Sequence, residues 1–224
     1  MNADTREDTP RPDPSGTTTT DATAVAATTG GGPMGGDHVR AALDEVLRTL
    51  GPHTHDRDWS APAGPLEWSC RETAVHIAHD LLAYAGQLAA RPADRYLPLD
   101  LTVPPAAGPA EVLTVVTACA RLLATALDAA PSDLRAWHFG PFDPPGFAAM
   151  GVSELLLHTH DIALGLGLPW RPPAGLSAAV LDRLTVDAPP GDPGDVLLWH
   201  TGRGELNGRP RRSSWTWRTA VTEG

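Results

Sequence analysis

The first 36 residues are Thr, Asp, Pro, Gly and Ala, with almost nothing large and apolar, and the pattern then switches to helical periodicity. A segment of the first kind cannot bury enough surface to offset the entropy of ordering it, so residues 1–36 read as a disordered tail. HVRAALDEVLRTL (38–50) sets Val39, Leu43, Val46, Leu47 and Leu50 on one helical face, and Gly51-Pro52 stops it. In WSCRETAVHIAHDLLAYAGQLAAR (68–91), Ser69 and Glu72 have the S-x-x-E spacing of a capping box, in which each side chain satisfies a backbone N–H of the first turn. This second helix runs to about Arg91, where Pro92 ends it. A third long helix is predicted over 109–131 and a fourth over 147–166, with Gly165 and Gly167 as its candidate stops. A short helix is expected around 175–184, then a turn at Asn207-Gly208 and an alternating Trp/Thr/Arg segment with the period of a strand.

Four long helices joined by loops predict an all-α four-helix bundle over 37–170, followed by a short C-terminal extension over 171–224 that holds the strand candidate. The long Pro-rich connection between the second and third helices leaves the topology open.

Composition narrows the function classes. The formal net charge of −10 argues against a nucleic-acid binder, which presents a basic face. All 17 basic residues are Arg. Cys70 and Cys119 are too far apart to frame disulfides and lack metal-ligand spacing, so they read as small core residues. No charge-free run of about 18 apolar residues suggests a membrane span. The N-terminus has no basic region leading into an apolar block, so no signal peptide is expected and the cytoplasm is the default compartment. Neither nucleic acid nor a membrane is therefore expected as a partner, and the chain is expected to be a monomer or homodimer.

The chemistry is concentrated in GVSELLLHTHDIALGLGL (151–168), apolar nearly all round yet carrying Glu154, His158, His160 and Asp161. A helix advances about 100° per residue, so His158 lies about 40° and Asp161 about −20° from Glu154, while His160 falls at about 240°, on another face. Glu154, His158 and Asp161 thus form one narrow polar stripe in an apolar helix. Burying an unpaired carboxylate is costly, so the stripe needs compensation. A divalent metal is one solution, since E-x-x-x-H offers an oxygen and a nitrogen ligand one turn apart. A structural acid–imidazole pair that satisfies itself is the other. A third ligand has to come from elsewhere, and on the second helix His76 shares a flank with Asp80 and Tyr84, whereas His79 lies further from the apolar side. His53 and His55 in GPHTHD read as an ordinary loop pair, and the Arg209, Arg211, Arg212 cluster as a solvated face.

WSCRETAVHIAH resembles the W-S-x-R-[DE]-x-x-x-H-[IL]-A opening of the second helix in the mycothiol-dependent maleylpyruvate isomerase family, within the DinB-like four-helix metalloprotein superfamily. ELLLHTHDIALGLG is similar to that family's E-x-x-x-H-x-x-D-x-x-x-x-x-G helix, and LLWHTGRGELNGRPRR to the L-L-W-x-T-G-R stretch of its actinobacterial members. The resemblance implies a DinB-like bundle with a metal, usually zinc, held by His76, Glu154 and His158. It implies a low-molecular-weight thiol, mycothiol, as cosubstrate and a small electrophile as its partner. Arg203 is the candidate for the C-terminal arginine that contributes to activity in the isomerase, and Asp161 would orient a ligand. Tyr84 and Asp80, with Arg203, are candidates for hydrogen bonding to the thiol's pseudo-disaccharide. The expected activity is zinc-dependent transferase or isomerase chemistry. A metal-activated-water hydrolase and a non-catalytic binding protein on the same fold are the alternatives.

Overall fold

The computed structural model describes residues 32–218, so most of the predicted tail, residues 1–31, lies outside the described residues. Among the described residues there are six α-helices: α1 Gly36–Leu50, α2 Cys70–Ala90, α3 Pro109–Asp128, α4 Pro144–Gly165, α5 Ala174–Leu184 and α6 Pro193–His200. Two short strands, β1 Ala136–Trp137 and β2 Pro141–Phe142, form an antiparallel hairpin between α3 and α4.

The four long helices make the expected bundle. α1 and α2 each pack on both α3 and α4, which places α1 and α2 across the bundle from one another. This resolves the topology left open by the long α2–α3 connection. The core runs through Val39, Val46 and Leu50 of α1, Ile77 and Leu81 of α2, Leu123 of α3, and Phe147, Leu155, Leu156 and Ile162 of α4. Helix α3 is long and apolar enough, by length and composition, to cross a membrane; here it lies in the bundle with Val112, Val116, Leu123 and Leu127 buried. α5 packs on α4 and α6 on α5, adding Val180, Leu184 and Leu197 to the same core.

The capping chemistry sets the ends. The Ser69 hydroxyl accepts from the Glu72 N–H at 3.2 Å and the Glu72 carboxylate accepts from the Ser69 N–H at 2.8 Å, the reciprocal pair that opens α2. Helix α4 starts three residues earlier than its apolar pattern predicts. Pro144 and Pro145 read as loop, yet proline is compatible with the first helical turn, and the Asp143 carboxylate caps the Gly146 N–H at 2.9 Å. Its end is a Schellman turn: the Leu168 N–H bonds to the Ala163 carbonyl and the Gly167 N–H to that of Leu164, with Gly167 at φ +69°. At Gly165 a β-carbon would sit 2.3 Å from the Pro62 carbonyl oxygen, so glycine here lets the approach to α2 cross α4 closely. α3 is shorter than predicted, ending at Asp128, ahead of Pro131.

The C-terminal extension departs from expectation. The Trp/Thr/Arg alternation forms no strand among the described residues up to Arg218, because no second strand lies beside it to complete a ladder. The chain runs back over α5 instead, where the Arg218 N–H donates to the Leu184 carbonyl at 2.7 Å and the Trp217 ring stacks on His200. The turn at Asn207-Gly208 does form, closed by a bridge between Leu206 and Arg209 with positive φ at both central residues.

Candidate metal centre

Helix α4 carries Glu154, His158 and Asp161 along the stripe that its period predicts. His158 lies between the two acids: Nε2 is 3.2 Å from Glu154 Oε2 and Nδ1 is 3.1 Å from Asp161 Oδ2. Helix α2, packed across α4, brings in His76, whose Nε2 is 3.9 Å from Glu154 Oε2 and 3.5 Å from Asp80 Oδ2. The rings of His76 and His158 meet edge to face at 4.9 Å. One ligand atom from each of His76, Glu154 and His158 lies within 4.8 Å of the other two. His160 is buried but on the other face of α4, outside this group. His79 bonds to Asp80 Oδ1 at 3.0 Å, and His53 to Asp56 at 3.2 Å on the far-off loop.

Arg203 reaches this centre through Asp161. The turn that closes α6 is a second Schellman motif, with the Arg203 N–H bonded to the Leu198 carbonyl and the Gly202 N–H to that of Trp199. Gly202 has φ +69°, and a β-carbon there would lie 2.7 Å from the Arg212 carbonyl oxygen, so only glycine fits. Aimed by this turn, the Arg203 guanidinium donates from Nε at 3.0 Å to Asp161 Oδ1 and from Nη2 at 2.7 Å to Oδ2. Asp161 is fully buried and doubly paired.

These contacts set the protonation states. Burial alone would lower the His158 pKa, but the hydrogen bonds to Asp161 and Glu154 outweigh it and push the pKa up to about 9. For Asp161 burial again opposes the charge, and His158 with Arg203 overcomes it, so the carboxyl is held below its usual range. Glu154 behaves likewise, with His158 and His76 outweighing burial. Asp80 goes the other way. Burial and the neighbouring Glu154 charge raise its pKa more than His76 and His79 lower it.

Two hollows flank the centre. On the Asp80 side is a cavity of about 690 Å³, walled by aromatic rings that include Tyr84, Tyr96, His138 and Phe139. On the Asp161 side is a smaller hollow of about 400 Å³ with three arginines, Arg203, Arg211 and Arg212, in its wall alongside Leu66 and Pro65. Trp215 lines both. Asp80 and Tyr84 border the aromatic cavity, and Arg203 the smaller one. His138 and Trp215 were not singled out from sequence. His138 lies in the aromatic WHFGPF loop (137–142), whose composition is visible in the sequence, but nothing in the order of residues places Trp215 beside it.

The family model described as the mycothiol maleylpyruvate isomerase N-terminal domain matches residues 39–163, which include His76, Asp80, Tyr84, Glu154, His158 and Asp161. Arg203 and Trp215 lie beyond that match. No curated protein and no solved structure matches the chain.

Proposed function

The chain belongs to the mycothiol maleylpyruvate isomerase N-terminal domain family, and from that premise we propose a divalent-metal enzyme that uses a low-molecular-weight thiol, mycothiol, for S-transfer to, or isomerisation of, a small electrophile. The observation that carries the proposal is the convergence of His76, Glu154 and His158, which touch Asp80 and Tyr84 in the wall of one hollow and Asp161 in the wall of the other. The donor set fits zinc, which takes two imidazoles and a carboxylate in open catalytic sites. Tetrahedral ligation at 2.0–2.2 Å sets donors about 3.4 Å apart. The separations of 3.2 Å and 3.9 Å to Glu154 Oε2 need only small side-chain adjustments to match. The surplus of acid around Asp80 and Glu154 also favours a cation.

A bound ion of this kind would favour a thiolate over a thiol at neutral pH. The remaining roles belong to the protein. Asp161 accepts from Nδ1 of His158, which holds the ring in place and leaves Nε2 as the nitrogen directed to the centre. Arg203 is a positioning residue, because it grips Asp161 with both arms of its guanidinium. The smaller hollow, with donors from Arg203, Arg211 and Arg212, takes the pseudo-disaccharide body of the thiol. Tyr84 and Asp80, the candidates for the thiol on sequence grounds, line the aromatic cavity and neighbour Glu154 and His76.

One observation favours a rival. Both ring nitrogens of His158 already have carboxylate partners, so a metal-free structural cluster is self-consistent. The deciding experiment measures consumption of an electrophile by metal-loaded protein with mycothiol, with cysteine at equal concentration, and without thiol. The proposal expects mycothiol to be fastest and a chelator to remove the advantage. Turnover without any thiol would replace it with a hydrolase. No turnover together with no retained metal would favour the binding protein.

A further inference from the structure

The wall of the 690 Å³ cavity bears on what the second reactant can be. Among the described residues that line it, none is Arg, and the chain has no Lys. Its one carboxylate, Asp80, is negative when ionised and adjoins Glu154. His79 is held between Asp80, at 3.0 Å, and Asp100, at 3.7 Å, and most of the other polar side chains in the wall have partners within the protein. Tyr96 Oη is 2.9 Å from His138 Nδ1. Gln87 donates to the carbonyls of Arg95 and Trp137 and accepts from the Leu97 N–H. Tyr84 directs its hydroxyl to Glu154 at 3.5 Å. Burial pushes the His138 pKa down to about 4, so its ring is uncharged at neutral pH.

What remains for a ligand is ring surface. Tyr84, Tyr96 and Phe139 stand edge-on around His138 and one another, with centroids 5.3–5.9 Å apart. Phe139 is 73 % exposed at the tip of the β1–β2 hairpin, an apolar lip at the mouth. A dicarboxylate placed here would lose its hydration and meet no Arg or Lys in the wall, only the Asp80 carboxylate and aromatic faces, a cost that aromatic contact cannot offset. An uncharged ring would meet edge-to-face partners on several sides.

We infer that this cavity receives the electrophile and that the electrophile is an uncharged molecule with an aromatic or similarly bulky apolar body, not a small dicarboxylate. The assignment rests on the thiol reading above only in naming the ligand an electrophile. The charge and shape selectivity stand on the wall itself.

The test uses two dyes with one ring system, uncharged N-phenyl-1-naphthylamine and its sulfonated relative 8-anilino-1-naphthalenesulfonate, titrated into the full chain and followed by fluorescence. The uncharged dye should bind one to one and more tightly than the sulfonate, and millimolar maleate should not displace it. Asp80→Asn should narrow the preference. Ala83→Trp, which fills the cavity from α2, should abolish binding. Phe139→Ala, an exposed change that leaves the core alone, should weaken it roughly 2–10-fold, as expected for one lost aromatic contact. Tighter binding of the sulfonate, displacement by maleate, or unchanged affinity in both Ala83→Trp and Phe139→Ala would overturn the inference. Dye selectivity without thiol-dependent turnover would sink the proposed function and leave this inference standing. Turnover without dye selectivity would do the reverse.

Discussion

Asp161 and Asp80 are two acids on opposite sides of the same pair of histidines, and the protein treats them differently. Asp161 is completely buried, yet its pKa is lowered, because Arg203 and His158 more than repay its lost hydration. Asp80 keeps a side-chain exposure of 22 %, but its pKa is raised, because burial and the Glu154 charge across the helix interface outweigh His76 and His79. Depth alone thus does not decide the state of these groups; the partners set against it do. The Asp161 side is electrostatically closed and serves to hold His158. The Asp80 side is left short of positive charge where the donor atoms of His76, Glu154 and His158 converge.

The sharpest way to break this contrast is to remove the partner on the closed side. Arg203→Ala leaves a buried carboxylate with His158 alone, and breaking such a pair costs about 3–5 kcal/mol. Urea unfolding of the metal-free protein should register that loss, while Asp80→Asn should change stability by less than about 1 kcal/mol or increase it, since it removes a repulsion. Equal losses from the two variants would erase the distinction.

The same contrast has a pH signature in metal-free protein. His158 has a folded pKa of about 9 against an unfolded value of about 6.5, so its contribution is fully present below pH 6.5 and is lost as pH rises through 9. That loss is on the order of 3 kcal/mol. Asp161, with its pKa depressed, contributes above the unfolded value of about 4 and loses that contribution as pH falls through its folded pKa. Asp80, with its pKa raised, is relieved by the same acidification. Unfolding midpoints measured across pH should therefore fall on the alkaline side. Saturation with zinc should remove that alkaline fall, because a ligating imidazole carries no proton on the bound nitrogen.

A smaller effect sharpens the positioning role. Asp161→Asn keeps the shape and loses the charge that orients His158, and changes of this kind typically cost roughly 10–100-fold in metal affinity. Competitive titration against a chromophoric chelator would measure it, and an unchanged affinity would reduce Asp161 to a packing residue. The smallest effect concerns the N-terminus. Removal of residues 1–31 should leave the melting temperature unchanged, because they offer no core-forming side chains. The cut has to fall before Met34, which is buried against the bundle.

How much of this was legible in the sequence follows from the range of each interaction. Glu154, His158 and Asp161 share a helix, so the period alone grouped them and set His160 apart. The Ser69/Glu72 capping box is equally local. His76 could be proposed but not placed, because its nearness to Glu154 depends on how α2 crosses α4. The partnership of Arg203 with Asp161 spans 42 residues and depends on the glycine turn at the end of α6, so neither its partner nor its positioning part could be read in advance. The aromatic cavity is assembled from α2, the 96–99 segment, the hairpin and the 215–217 segment, and no single window of sequence contains it. The strand candidate near the C-terminus forms no strand among the described residues for the opposite reason: alternation is a local signal, and a strand also needs a neighbour.

The central claim is that the side left short of positive charge holds a metal. Mass-spectrometric metal analysis of untagged protein, run in parallel on wild type, His158→Ala and His160→Ala, tests it most directly. The account predicts about one divalent ion per chain in wild type and in His160→Ala, and none retained in His158→Ala. Metal absent from wild type after zinc loading, or lost equally from both variants, would contradict it.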